Sequence, residues 1–202
     1  MLPSDSRFEA VIAAIDAANA VDPNTIEIGG RAEPAELVYG RRMTATLARM
    51  APDASEPLRI ASRGQHIERW RLPRKSYPEG RAGYLKWRLD AKEMHARRIG
   101  TIMADAGYEP PDIARVGALV RKDKFKLDAE AQLLEDVVCV VFLEHYLSPF
   151  MAKTEPTKLP SILSKTWRKM SERGHEHALK LDVPAEVLRL LEQGLAEMRN
   201  EK

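Results

Sequence analysis

Cysteine is nearly missing from this chain. Cys139 is its single representative, so no internal disulfide can form and no thiolate cluster can hold zinc. The residue sits in an apolar run, where a free thiol behaves as a small buried hydrophobe. Long hydrophobic runs are missing too: the longest, Val137 to Leu143, falls far short of the roughly 20 residues that cross a bilayer. Charge of one sign does not dominate. With 32 basic and 30 acidic residues the formal net charge is +2, which gives no whole-chain case for nucleic acid or a membrane surface. The opening MLPSDSRFEAVIAAIDAANA has no charged leader followed by an apolar core and a cleavage site. It does not read as a signal peptide, and a cytoplasmic protein is expected.

What is present is helical patterning. A content of 44% hydrophobic and 31% charged residues over 202 positions suits one folded domain with a proper core. Phe8, Val11, Ile12 and Ile15 recur at helical spacing after Ser4-Asp5-Ser6, and Asp22-Pro23-Asn24 stops that helix. The stretch IEIGGRA (Ile26–Ala32) reads as a loop, and Pro34 opens a helix to about Met50. Ser55 is an N-cap for a helix predicted over Glu56–Arg71. Pro73 and Pro78 bracket a basic loop, LPRKSYPEGRAG, before a long helix over Ala82–Ala106 that Gly107 ends. Further helices are predicted over Pro110–Arg121, Asp128–Phe150, Leu159–Arg173 and Pro184–Arg199. VVCVVFL is β-branched enough for a strand, but its flanks are helical and no second strand is available, so a buried helix is expected. The expectation is a single compact all-α domain over residues 1–202.

Several polar residues fall where core residues belong. Arg59, Arg63, His66 and Trp70 follow one stripe of the predicted third helix, beside Ile60 and Ile67. On the long helix Leu85, Arg88, Lys92, His95, Ile99 and Ile102 share a stripe. Glu135 and Asp136 directly precede the apolar run. Buried polar groups are costly without partners, and convergence of His66, His95 and Asp136, with Glu135 beside them, explains all three cases together. Imidazole and carboxylate are the usual ligands of a divalent metal such as zinc, manganese or iron. Such an ion lowers the pKa of bound water and makes a nucleophile. Arg63, Arg69, Arg74 and Lys75 suit a phosphate group. A structural Arg88–Glu135 or Arg63–Asp136 ion pair accounts for much of the same pattern. Core packing is the plainer role for Trp70 and Trp87, and His145, His175 and His177 read as ordinary histidines.

The segments DAANAVDP (Asp16–Pro23), QHIERW (Gln65–Trp70), PRKSYP (Pro73–Pro78), GYLKWR (Gly83–Arg88), LED (Leu134–Asp136) and KTWRKMS (Lys165–Ser171) span nearly the whole chain. Together they resemble the successive motifs of the domain of unknown function 4202 family. More distantly, the order of His66, His95 and Asp136 is similar to the HD-domain metal phosphohydrolases, which are all-α. Those use a first His, a His-Asp pair and a later Asp as metal ligands. Here Ala96 follows His95, so the paired Asp is missing and Glu135 would have to supply its oxygen, or the site binds a phosphorylated ligand without turnover.

The leading expectation is a metal-dependent phosphohydrolase of HD-like type acting on a nucleotide or another small phosphorylated molecule. His66, His95 and Asp136 would hold the metal, and Glu135 and Arg69 would be the catalytic pair. Arg63, Arg74, Lys75, Arg88, Lys165 and Lys169 would handle the phosphate. The alternative is a non-catalytic module that binds RNA or a phosphorylated ligand through the basic Arg59–Arg98 region, with Trp70 and Tyr77 as stacking surfaces. A scaffold whose basic face meets an acidic protein is a third reading.

Overall fold

The structure is a computed structural model and describes residues 4–182 together with 187 and 189. The chain falls into two compact units, residues 1–124 and 125–202. Helices dominate both. The helix expected over Pro184–Arg199 lies outside the described residues apart from Val187 and Arg189. Among the described residues no helix is long and apolar enough to cross a membrane.

The first unit opens with α1 (Ser4–Asn19) and continues through α2 (Ala35–Met50), α3 (Glu56–Arg63), α4 (Gly80–Asp105) and α5 (Pro110–Arg121). Its core is made by Ile15, Met43, Leu47, Leu58, Ile60, Ile67, Ile99, Met103 and Leu119, all nearly sealed from solvent. Ser55 caps α3 as expected, its hydroxyl accepting from the Leu58 N–H. α4 ends where Gly107 takes a φ of +82°, the left-handed conformation that glycine adopts without strain. Tyr108 then donates its hydroxyl to Glu56 at 2.6 Å, fastening the α4–α5 turn to the start of α3.

Two expectations fail here for identifiable reasons. IEIGGRA is not a loop but part of an antiparallel hairpin, β1 (Thr25–Ile28) against β2 (Arg31–Pro34), with Ile28 opposite Arg31. Gly29 and Gly30 both have positive φ, as a two-residue turn matched to strand twist requires. The predicted Glu56–Arg71 helix stops at Arg63. After Gly64 the chain turns, Glu68 adopts a left-handed φ of 51°, and a short 3-10 turn covers Arg69–Arg71. His66 and Trp70 therefore do not lie on a helical stripe with Arg59 and Arg63.

The second unit holds α6 (Ala129–Val141), α7 (Leu147–Met151), α8 (Leu159–Trp167) and α9 (Glu172–Ala178). Asp128 caps α6 by accepting from the Glu130 and Ala131 N–H groups. VVCVVFL is helical as expected and buried except at Val138 and Phe142, which are half-buried, and the helix widens into a π turn over Phe142–Tyr146 before α7. The helix predicted over Leu159–Arg173 is instead two, because Ser171 leaves the first and caps α9.

Candidate functional site

The polar residues of the first unit gather where α1, α2, the turn after α3 and α4 meet. The assembly starts from Asp22. Pro34 precedes α2 and offers no side-chain cap. Asp22 serves in its place, one carboxylate oxygen accepting from the Glu36 N–H at 3.0 Å and the other from Asn24. Asn19, 2% exposed, accepts from the Glu68 N–H at 2.9 Å and donates to the Glu36 carbonyl at 3.4 Å. These two side chains fix the first turn of α2 against the Gln65–Arg69 turn. The strained Glu68 is held further by Arg98 at 3.0 Å and Arg71 at 3.1 Å.

Within this frame His66 stacks on Tyr39, with ring centroids 4.0 Å apart and planes 11° from parallel. Its Nδ1 lies 3.5 Å from the Glu36 carboxyl and 3.0 Å from Nη1 of Arg69. The Arg69 guanidinium also lies over the Trp87 ring, 5.1 Å from its centroid, and the Trp87 indole N–H donates to the Leu72 carbonyl at 2.8 Å. His95 stands 6.0 Å from His66, centroid to centroid, and is tied through Nδ1 to the Ile67 carbonyl at 2.7 Å. Since a carbonyl only accepts, Nδ1 of His95 carries the proton and Nε2 holds the lone pair.

Burial sets the charges. It pushes His66 well below the usual histidine range, helped by the positive fields of Arg69 and Lys122. It takes His95 down to about 3, with His66 and Arg69 adding to the effect. Both rings are neutral. Burial also raises Glu36 to about 7, against the opposing pull of Arg69, so its carboxyl holds a proton far above the normal range for glutamate. Arg69 is thus the fixed charge of the cluster. Arg63, Arg71 and Arg98 each meet a carboxylate, whereas among the described residues Arg69 has none within ion-pair distance and faces an uncharged imidazole instead.

A family model described as Domain of unknown function (DUF4202) matches residues 9–191. The chain belongs to the DUF4202 family. No curated protein and no solved structure matches it. One of the motifs that carried the DUF4202 resemblance now has a physical role. DAANAVDP supplies Asp16, Asn19 and Asp22, and each of them ties down another segment of the first unit.

The other residues singled out in this DUF4202 chain have various occupations. Arg63 is committed to Asp16 and Thr44. Arg74 donates to the carbonyls of Tyr77 and Gly80, closing the basic loop on itself. Lys75 and Lys165 are exposed, and Arg88 lies over Tyr84. In the second unit Lys169 approaches Glu135 at 3.7 Å. Asp136, 1% exposed, accepts from the Ser171 N–H at 2.8 Å, the Ser171 hydroxyl at 2.5 Å and the Gln132 amide at 3.0 Å. It anchors the start of α9, where Gly174 leaves room that a Cβ would take, 2.8 Å from the Asp136 carboxyl carbon.

As arranged, these residues do not fit a divalent metal. Among the described residues no group of three or more His, Cys, Asp and Glu side chains is placed to hold one. The Arg69 guanidinium lies within 3.1 Å of both ring nitrogens of His66, and its charge repels a second cation there. Three members of the cluster escaped sequence reasoning. Glu36 sits where an acid in the first turn of a helix is ordinary, Tyr39 lies in a core position, and Lys122 follows the end of α5. Asn19 and Asp22 left a trace inside the DAANAVDP motif.

Proposed function

We propose that the first unit binds a small phosphorylated molecule at the Glu36–His66–Arg69–His95 cluster and hydrolyses its phosphoester. The observation that carries the reading is the partly buried Arg69, whose charge faces neutral rings and has no carboxylate partner among the described residues. An anion with several oxygens completes such a site, since a guanidinium offers paired N–H donors in fixed geometry. His66 and Glu36 keep 23% and 17% of their side-chain surface exposed, so the cluster is reachable from solvent. Lys122 adds positive field on the His66 side. Metal dependence draws no support from the arrangement, and no step of the reading passes through a metal.

A second reading, a phosphoryl-binding module without turnover, is favoured by one feature: neither ring has the basicity of an ordinary histidine base. RNA binding over Arg59–Arg98 is less well supported, because Arg63, Arg71 and Arg98 are neutralised by carboxylates and the Tyr77 hydroxyl is bound to Asp90.

The test uses sugar phosphates, nucleoside monophosphates and inorganic phosphate, each with chelator and with added manganese. Melting temperature reports binding and free phosphate reports turnover. Stabilisation of the wild type that Arg69→Ala abolishes is the expected result. Stabilisation without phosphate release selects the binding module. No stabilisation and no release would sink the site altogether.

A further inference from the structure

Arg69 and Glu36 address the same atom of the same ring. Nη1 of Arg69 lies 3.0 Å from Nδ1 of His66, and Oε2 of Glu36 lies 3.5 Å from it. A phosphoryl group held by the guanidinium would therefore come within reach of the Glu36 carboxyl. Every element around Glu36 contributes a charge or a titratable group. Asp22 faces it from the segment after α1, His66 from the turn after α3, Arg69 from the 3-10 turn and His95 from α4. Burial and Asp22 discourage ionisation, whereas Arg69 and, more weakly, His95 favour the carboxylate. Its own backbone N–H is taken by Asp22, so the orientation of Glu36 is set by the first turn of α2.

We propose that Glu36 delivers its proton to the leaving oxygen of a phosphate monoester bound at Arg69, and that the substrates are therefore alkyl phosphates, of the sugar or nucleoside phosphate kind. This inference rests on the hydrolytic reading above. In the step, a water oxygen bonds to phosphorus as the phosphorus–ester oxygen bond breaks. The carboxyl proton of Glu36 passes to the departing oxygen, which leaves as a neutral alcohol. The proton shed by the attacking water returns the Glu36 carboxylate to its acid form, so the sum is monoester plus water giving alcohol plus phosphate. An alkoxide is a poor leaving group and needs that proton, whereas a nitrophenolate is stable as an anion and does not.

The experiment compares glycerol 3-phosphate with 4-nitrophenyl phosphate on the wild type, Glu36→Gln and Glu36→Asp. For Glu36→Gln, kcat on the alkyl ester should fall by about 10²- to 10⁴-fold, with little change on the aryl ester and partial recovery in Glu36→Asp. In the wild type, the ratio of alkyl to aryl rates should fall as pH rises through the ionisation of Glu36. The ratio is corrected for the second ionisation of each ester, measured separately, because the aryl ester is the stronger acid. Equal loss on both substrates, or none on the alkyl ester, overturns the assignment of Glu36 while leaving the hydrolase intact. If Glu36→Gln does not fold, the wild-type ratio decides alone, and a flat ratio overturns the proposal. Phosphate release from neither ester by the wild type defeats the hydrolytic reading, and the role of Glu36 with it.

Discussion

Arg63 and Asp16 are joined by two parallel hydrogen bonds, Nε to Oδ1 and Nη2 to Oδ2, each 2.6 Å long. The pair links α3 to α1 with 11% and 30% of the two side chains exposed, and Arg63 also donates to the Thr44 hydroxyl. A planar fork makes this contact and an ammonium group cannot reproduce it.

Arg63→Ala should therefore lower the unfolding free energy by about 2 kcal/mol, and Arg63→Lys should recover only a minor part of that. Urea denaturation measures both. Ligand stabilisation through Arg69 should survive in Arg63→Ala at a temperature where the variant is folded. Loss of binding with unchanged stability would instead mark Arg63 as a ligand contact.

Glu36 makes the fold pay for an ionisation. Its carboxyl titrates at about 7 in the folded chain and at its ordinary value of 4.5 when unfolded. The folded state thus holds the proton more tightly between those values, and stability is lost as pH rises through that window. Glu36→Gln removes the loss. At alkaline pH the variant should be more stable than the wild type by up to about 3 kcal/mol, and the gap should close towards the acid end. Denaturation series across the window measure it; a constant gap would show that Glu36 is not the titrating group.

His95 acts in the opposite sense. Its folded value of about 3 lies below the ordinary histidine value of 6.5, so the unfolded chain takes up a proton that the folded chain refuses. The stabilising contribution is whole above the unfolded value and drains away as pH falls from there towards 3. His95→Gln, which can keep a donor for the Ile67 carbonyl, should flatten the acid limb of the stability curve. An acid limb as steep as that of the wild type would mean that other groups govern acid unfolding.

Asp136→Ala should destabilise the second unit by about 3 kcal/mol or more, because the donors of Ser171 and Gln132 lose a buried acceptor. The amides of Glu172–Ala178 should exchange with solvent faster, as a helix without its anchored cap frays. Amide exchange followed by mass spectrometry reads this directly. Unaltered protection there would show that Asp136 does not hold α9.

Much of the helix layout was legible because proline, glycine and capping residues mark it. Pro34, Pro110 and Gly107 place the ends of α2, α4 and α5 to within a few residues. The end of α3 was not, since the spacing of Arg59, Arg63, His66 and Trp70 continues smoothly through a turn that tertiary contacts impose. The N–H of Glu68 goes to Asn19, which is distant in sequence, and local periodicity carries no record of that bond. The same cause split α8 from α9: Ser171 turns towards Asp136, and only the folded chain brings them together. The hairpin was readable in principle, because Gly29-Gly30 sits between short alternating segments.

At the site, His66 and His95 stood out as polar residues in core-like positions, and the structure brings these two together. Glu36 stayed hidden because an acid in the first turn of a helix already has a sufficient reason to be there, the helix dipole. What changes its chemistry is burial by residues distant in sequence. Arg69 was visible as one basic residue among many, and its distinction lies in the carboxylates that its neighbours meet and that it, among the described residues, does not.

The position of Trp87 gives the molecule an optical indicator of its own. The indole is fixed at one end by the Leu72 carbonyl and carries the Arg69 guanidinium over its face. An anion that draws the guanidinium away alters the electric field on the ring, and with it the colour and yield of emission. Occupancy of the cluster can therefore be followed by ultraviolet fluorescence without any attached dye. Trp70 and Trp167 supply the background against which that one signal changes.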